Sequence, residues 1–137
     1  MIVNTAYMYM GKTTPKTLNI WEGGVVNYPY RIFSSTSQSK FIANENKFYV
    51  YRDDTVRFTL PLTNFTKITF EVYSGAGTAY GSVTIGNKKS DFRTPGAPTV
   101  GTFVFDIPAE YQKDNVLVDI RCTAGGSGMY VVSGVIS

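Results

Sequence analysis

The sequence predicts an all-β protein, a two-sheet antiparallel β-sandwich of the jelly-roll kind with about nine strands. Three observations predict it. Apolar residues alternate with polar ones at a period of two, glycine, proline, asparagine and aspartate separate the alternating stretches, and no window of a dozen residues carries a helical stripe. Tyrosine and phenylalanine, with 10 and 9 copies, also favour strands. At 137 residues we expect residues 1–137 to form a single domain, with residues 1–20 as a docking arm or edge strand.

Four stretches show the alternation most clearly: "TVRFTLPL", "TKITFEVY", "GTFVFDIP" and "NVLVDIRC". Each should be a strand with one buried face and one solvent face. The residues expected to be buried are Val56, Phe58, Leu60 and Leu62; Ile68, Phe70 and Val72; Phe103, Phe105 and Ile107; and Val116, Val118, Ile120 and Cys122.

The remaining strand candidates are "VNTAYMYM", "YPYRIF", "KFYVYR", "GSVTIG" and "MYVVSGVIS", and "PAEYQKD" predicts one short helical turn. Residues 87–101, with two prolines, are expected to be the longest surface loop. In "YSGAGTAYGSVTIG" the glycines approach a dinucleotide fingerprint, but they are spaced one residue too far and lead into a strand instead of a helix. We interpret this stretch as two antiparallel strands joined by a glycine-rich loop.

The composition excludes several chemistries. Histidine is absent, and Cys122 is in phase with buried residues, so neither a histidine base nor a reactive thiol is expected. Asp53 and Asp54 indicate a turn, and nothing shows that the solvent-facing Asp106 and Asp119 meet. A calcium loop in "NKKSDF" is weakly indicated because two lysines interrupt the oxygen ligands. The sequence therefore predicts no enzyme, no cofactor and no metal.

Charge and hydropathy limit the partners. The net charge of +3 comes from dispersed lysines and arginines without a basic stripe, so no nucleic acid is expected. No apolar run is long enough to span a membrane, and no secretory signal is visible at the start.

The most distinctive candidates for binding are Trp21, Tyr28 and Tyr30, which cluster around Gly23-Gly24 in "NIWEGGVVNYPYRIF". Three interpretations stay open. Trp21 caps the core, the aromatic residues anchor a protein contact, or they form a platform on which a sugar ring stacks.

Three stretches together carry a resemblance: "MIVNTAYMYMGK…LNIWEGG", "VRFTLPLTNFTKITFEVYSG" and "GTFVFDIPAEYQKDNVLVDIRCTAGGSG". Their order resembles the small β-sandwich modules of tailed-phage and prophage virion proteins, which are similar in build to carbohydrate-binding modules. The resemblance implies a non-enzymatic structural protein on a virion, a capsid decoration protein or tail component assembled in the host cytoplasm.

The partners that the resemblance implies are other virion proteins, such as a major capsid or tail protein, and further copies of this chain. Because the module begins at Met1, we expect a free-standing accessory protein. The alternative is a carbohydrate-binding module for attachment to a host surface, with a glycan as its ligand.

Overall fold

The chain folds into two antiparallel β-sheets that share one core, as the alternation predicts. The computed structural model describes residues 16–124 and 128–137. The strands in this part of the chain are β1 (Leu18–Asn19), β2 (Trp21–Glu22), β3 (Val25–Val26), β4 (Tyr30–Phe33), β5 (Lys40–Ile42), β6 (Lys47–Val50), β7 (Thr55–Leu60), β8 (Lys67–Ser74), β9 (Ala79–Ile85), β10 (Lys88–Thr94), β11 (Gly101–Asp106), β12 (Val116–Ala124) and β13 (Met129–Ile136). The described residues thus form thirteen strands, more than the nine expected, because several of them are too short to show an alternation of apolar and polar residues.

One sheet has five strands in the order β10-β9-β12-β7-β4. The other has six, in the order β11-β8-β13-β6-β5, with β1 also pairing with β13. Strands β2 and β3 form a separate two-stranded hairpin. Short 3-10 helices at Ala43–Glu45 and Ala109–Tyr111 connect strands, and the second confirms the turn predicted from "PAEYQKD".

The core lies between the sheets and consists of the faces that the sequence predicts. Val56, Phe58 and Leu60 of β7 and Ile68, Phe70 and Val72 of β8 are fully buried. Cys122 faces inward with Val118 and Ile120, also as predicted. Burying these side chains removes apolar surface from water, which is the main favourable term in folding.

Two predictions about connections are wrong. Residues 75–78 join strands of different sheets, so β8 and β9 do not pair with each other; β9 pairs instead with β10 and β12. The expected surface loop at 87–101 contains strand β10, an edge strand in which buried Phe92 and Thr94 alternate with exposed lysine, aspartate and arginine residues. Charged edge strands are common because charge discourages further pairing.

The start of the described chain is tied to the six-stranded sheet. Asn19 and Leu18 pair with Val135 and Ile136 of β13. The strand predicted from "VNTAYMYM", and most of the docking arm expected at residues 1–20, lie outside the described residues. No helix in the described ranges is long and apolar enough to cross a membrane.

A two-residue turn at Gly23-Gly24 closes the hairpin of β2 and β3. Both glycines have positive φ, at 60° and 76°, which is the backbone that a tight hairpin turn requires. Asn46 holds the hairpin from outside, since its side-chain oxygen accepts a hydrogen bond from the Gly24 N–H at 2.8 Å. The Asn46 carbonyl accepts another from Trp21 Nε1 at 3.0 Å, so the hairpin is fixed against the turn before β6.

Candidate functional site

The aromatic residues singled out in the sequence do not share one exposed face. Trp21 is 3% exposed, and its ring packs edge-on against Phe48 at 4.9 Å and parallel to Phe58 at 6.0 Å. Tyr28 is half-buried against the core. Tyr30 is 44% exposed, with its ring edge-on to Phe48 at 5.4 Å. Trp21 therefore has no free ring face for stacking, and a binding role for Tyr28 and Tyr30 stays a prediction.

Three other tyrosines form a continuous row on the outer face of the six-stranded sheet. Tyr49, Tyr73 and Tyr130 lie on β6, β8 and β13, and each occupies an outward position between buried neighbours. Tyr130 is the direct cross-strand partner of both Tyr49 and Tyr73. Because β13 lies between β6 and β8, the three side chains are adjacent. We call this set the tyrosine row.

The rings of the tyrosine row contact one another. The centroids of Tyr49 and Tyr130 are 5.0 Å apart with a tilt of 41°, and those of Tyr73 and Tyr130 are 5.1 Å apart and nearly parallel, at 19°. Aromatic pairs at these spacings gain energy beyond their area burial. The contacts hold the three rings in place relative to one another.

Lys47 places a positive charge over the same row. Its ammonium nitrogen lies 4.6 Å from the Tyr130 ring centroid and donates a hydrogen bond to the Tyr73 hydroxyl oxygen at 2.8 Å. It also forms an ion pair with Glu45 at 2.9 Å. The hydrogen bond to Tyr73, followed by the one to Glu45, raises the pKa of Lys47 above its usual 10.5. At neutral pH the row therefore has a fixed cation at one side.

Polar side chains converge at the opposite end of the row. A shallow depression of about 420 Å³ is lined by Ser37, Gln38, Lys40, Ile42, Tyr49 and Tyr130. Lys40 lies directly across from Tyr49 in the sheet. The depression thus combines two aromatic residues with an ammonium, an amide and a hydroxyl, all of which can form hydrogen bonds with a polar ligand.

A buried carboxylate anchors the loop that carries Ser37 and Gln38. Asp54 is 1% exposed and accepts hydrogen bonds from the hydroxyls of Ser34, at 2.6 Å, and Ser39. The Ser39 oxygen also accepts the Tyr51 N–H at 2.8 Å. Both ends of the loop are therefore pinned to the sheet, and the prediction that Asp54 only forms a turn misses this role.

The acidic residues do not assemble into a catalytic pair. Asp106 lies on β11 and Asp119 on β12, which belong to different sheets, so they do not meet across one. Asp106 pairs with Lys67, and this contact lowers the pKa of Asp106. Asp119 accepts two hydrogen bonds from Arg57. Within the described residues no group of three or more Asp, Glu, Cys or His could hold a metal ion.

The tyrosine row is not predicted from the sequence because its members are neighbours in space and lie far apart along the chain. A signal was nevertheless present: in "KFYVYR", "TKITFEVY" and "MYVVSGVIS" a tyrosine stands at the solvent phase of an alternating strand. A large aromatic side chain on an outward face is more informative than an aromatic residue in a turn.

Comparison with solved structures places the fold among carbohydrate-binding β-sandwiches. The chain is similar to CsCBM6-3 of Clostridium stercorarium, solved with cellobiose, at 10% identity and a TM-score of 0.57, covering 81% of this chain and 88% of that one. It is also similar to the CBM36-1 domain of a xylanase from the hindgut metagenome of Trinervitermes trinervoides, at 16% identity and a TM-score of 0.57, covering 80% and 97%.

A third similar structure is a family two carbohydrate esterase from Cellvibrio japonicus, at 13% identity and a TM-score of 0.55. The match covers 88% of this chain but only 32% of the esterase, so the chain spans about a third of that protein. No family model and no curated protein matches the sequence. At these identities the likeness shows the fold alone, a β-sandwich of the carbohydrate-binding-module type.

Proposed function

We propose that the protein binds carbohydrate without cleaving it, and that the tyrosine row is the binding surface. The observation that carries the proposal is the contact of Tyr49, Tyr130 and Tyr73 across three adjacent strands. The C–H groups on one face of a pyranose ring form an apolar surface that suits an aromatic ring. Three rings on adjacent strands give an aromatic surface that extends across three strands of the sheet.

The polar groups around the row supply the hydrogen bonds that stacking lacks. Lys40, Gln38 and Ser37 line the depression beside Tyr49, and Lys47 lies over Tyr130. A sugar offers several hydroxyls, each able to donate and to accept, so mixed donors and acceptors at the rim are expected to orient it. Because the depression is shallow, we expect a glycan chain to pass across the sheet and not to be enclosed by the protein.

The fold is consistent with this use. CsCBM6-3 of Clostridium stercorarium is named as a complex with cellobiose. None of the three similar structures is named as a phage or virion protein. Carbohydrate binding, the alternative interpretation of the sequence, is therefore better supported than decoration of a virion.

The experiment is a titration of the purified protein with neutral cello- and xylo-oligosaccharides by calorimetry, with retention on insoluble polysaccharide as a second readout. Tyr130→Ala removes the central ring, which both neighbours contact, and should weaken binding about tenfold, since roughly 1.4 kcal/mol corresponds to a factor of ten. Tyr130→Phe keeps the ring and should retain most of the affinity.

Tyr80→Ala is the matched control. Tyr80 is 47% exposed on the other sheet, so its removal deletes the same chemical group from a different face. Equal affinities of Tyr130→Ala and the unmodified protein would contradict the proposal, and so would a failure to bind any neutral glycan. Circular dichroism of each variant establishes that the fold persists.

The virion role, docking to a capsid or tail protein, self-association and assembly in the host cytoplasm stay predictions. Their test is the recovery of the protein with particles from an induced lysogen. Free protein in the lysate, with none in purified particles, would contradict them.

A further inference from the structure

A second surface lies on the opposite side of the sandwich, on the outer face of the five-stranded sheet. A depression of about 280 Å³ there is lined by Pro29, Tyr30, Arg31, Phe33, Arg57, Thr59 and Leu117. We call it the arginine groove. Two of its apolar side chains are exposed, Phe33 at 38% and Leu117 at 45%, whereas the ring of Tyr30 packs edge-on against the buried Phe48.

Two arginines stand directly opposite each other in this groove. Arg31 on β4 is the cross-strand partner of Arg57 on β7. Like charges in such positions destabilise a sheet unless something compensates them. Arg57 is compensated, because Asp119 on the next strand accepts hydrogen bonds from its Nε and Nη2 at 2.8 and 3.0 Å.

Arg31 has no such compensation: within the described ranges its guanidinium forms no ion pair, and it lies over the ring of Phe33. The Arg31 and Arg57 guanidinium carbons lie 4.7 and 5.1 Å from the Phe33 centroid. The ring of Phe33 therefore contacts two guanidinium groups, and Asp119 neutralises one of them. The groove keeps one net positive charge, on Arg31, which is in cation–π contact with Phe33.

We propose that the arginine groove is a second binding site, which takes the carboxylate of an acidic sugar, a uronic acid residue of a polysaccharide. A planar guanidinium matches a carboxylate with two parallel hydrogen bonds. Leu117 and Phe33 offer apolar contact to the body of the ring, and Thr59 lines the same depression. The volume is at the low end for ligand sites and suits one ring.

The surrounding charges favour a single carboxylate over an extended polyanion. On the same sheet Lys89 pairs with Asp91 and Arg121 with Asp53, so no continuous basic stripe follows the strands. A nucleic-acid backbone needs such a stripe. The choice of a sugar over another carboxylate rests on the proposed function, whereas the choice of a carboxylate rests on Arg31 and Arg57 alone.

The test measures binding of oligogalacturonate to the whole protein at about 0.15 M ionic strength, where long-range attraction is screened. The comparison ligand is the methyl ester of the same oligosaccharide, which keeps the rings and linkages but removes the charges. Arg31→Gln should weaken binding of the acid about tenfold, since a hydrogen-bonded charge pair is lost. The ester should bind the unmodified protein as weakly as the acid binds Arg31→Gln.

Arg93→Gln is the matched control, because Arg93 also lies against an exposed aromatic ring on this sheet, at 5.8 Å from Tyr80. It should bind the acid like the unmodified protein. Equal losses in Arg31→Gln and Arg93→Gln, or equal binding of acid and ester, would overturn the proposal. Polyglutamate that binds as well as oligogalacturonate and depends equally on Arg31 would overturn the assignment to a sugar.

The neutral oligosaccharides separate this site from the tyrosine row. Arg31→Gln should leave their binding unchanged, and Tyr130→Ala should leave oligogalacturonate binding at the groove. If the unmodified protein binds no neutral glycan but distinguishes the acid from its ester, the tyrosine row is refuted and the groove is supported. If it binds neutral glycans but binds the acid and the ester equally, the groove is refuted and the tyrosine row is supported.

Discussion

Replacing Trp21 by alanine should lower the free energy of unfolding by about 3–5 kcal/mol, the usual cost of removing a buried large aromatic side chain. The structure gives two reasons. The indole is 3% exposed and packs against Phe48 and Phe58, so its removal leaves a cavity between the sheets. The indole N–H also donates to the Asn46 carbonyl at 3.0 Å, and that acceptor loses its partner.

A second variant separates the two contributions. Trp21→Phe keeps an aromatic ring beside Phe48 but removes the N–H, so it should cost about 1 kcal/mol, the net contribution of one hydrogen bond to a partly buried carbonyl, plus a loss of packing. Urea unfolding followed by circular dichroism measures both variants. The melting temperature of Trp21→Ala should fall by about 10 °C or more, given the usual relation for a domain of this size.

Fluorescence gives an independent check, because Trp21 is the one tryptophan among the 137 residues. A buried indole emits at shorter wavelength than an exposed one, and the native spectrum should shift to the red on unfolding. The reasoning fails if Trp21→Ala has the same urea midpoint of unfolding as the unmodified protein but no longer binds glycan. Trp21 would then be a ligand contact, and the tyrosine row alone would not account for glycan binding.

Four further predictions concern stability and reactivity. Asp54→Ala should cost about 1–3 kcal/mol in urea unfolding, since two serine hydroxyls lose their acceptor, and a cost near zero would contradict this. Burial raises the pKa of Cys122 to about 11, so a thiol reagent at pH 8 should react only in denaturant. Gly24→Ala should be more destabilising than Gly23→Ala in thermal melts, because only the added Cβ at Gly24 meets a backbone oxygen, at 2.7 Å. The raised pKa of Lys47 contributes stability below pH 10.5 that is lost as the pH rises through the folded-state value, so the stability advantage over Lys47→Met should shrink above pH 10.5.

The sequence predicts the core well because burial on one face leaves a local signature. In "TKITFEVY" every second residue from Ile68 is buried, and the alternation needs no knowledge of the rest of the chain. Strand pairing leaves no such signature. Residues 75–78 resemble a hairpin turn, but they cross between sheets, because the partners of β8 are β11 and β13. Strand β10 is missed because its charged residues are typical of a loop as well as of an edge strand.

The candidate sites are predicted less well because they too depend on strand pairing, which leaves no local signature in the sequence. Each tyrosine of the row is one partly buried, outward-facing aromatic residue in its own strand, and only the register of β13 against β6 and β8 brings the three together. Arg31 and Arg57 become neighbours through the pairing of β4 with β7. Trp21 is conspicuous in the sequence as the one tryptophan, but its side chain, on the first strand of the β2–β3 hairpin, is buried in the core.

The position of β13 between β6 and β8 has a consequence for when the tyrosine row forms during folding. Pairings between residues far apart in sequence form slowly, because long loops must close first. The central tyrosine arrives with β13, so a chain truncated before this strand holds two separated rings and no row. If the row binds glycan, retention on a glycan column would separate fully folded molecules from those in which β13 has not yet paired with β6 and β8. A glycan present at a hundred times its dissociation constant would add about 2.7 kcal/mol to the native state during refolding.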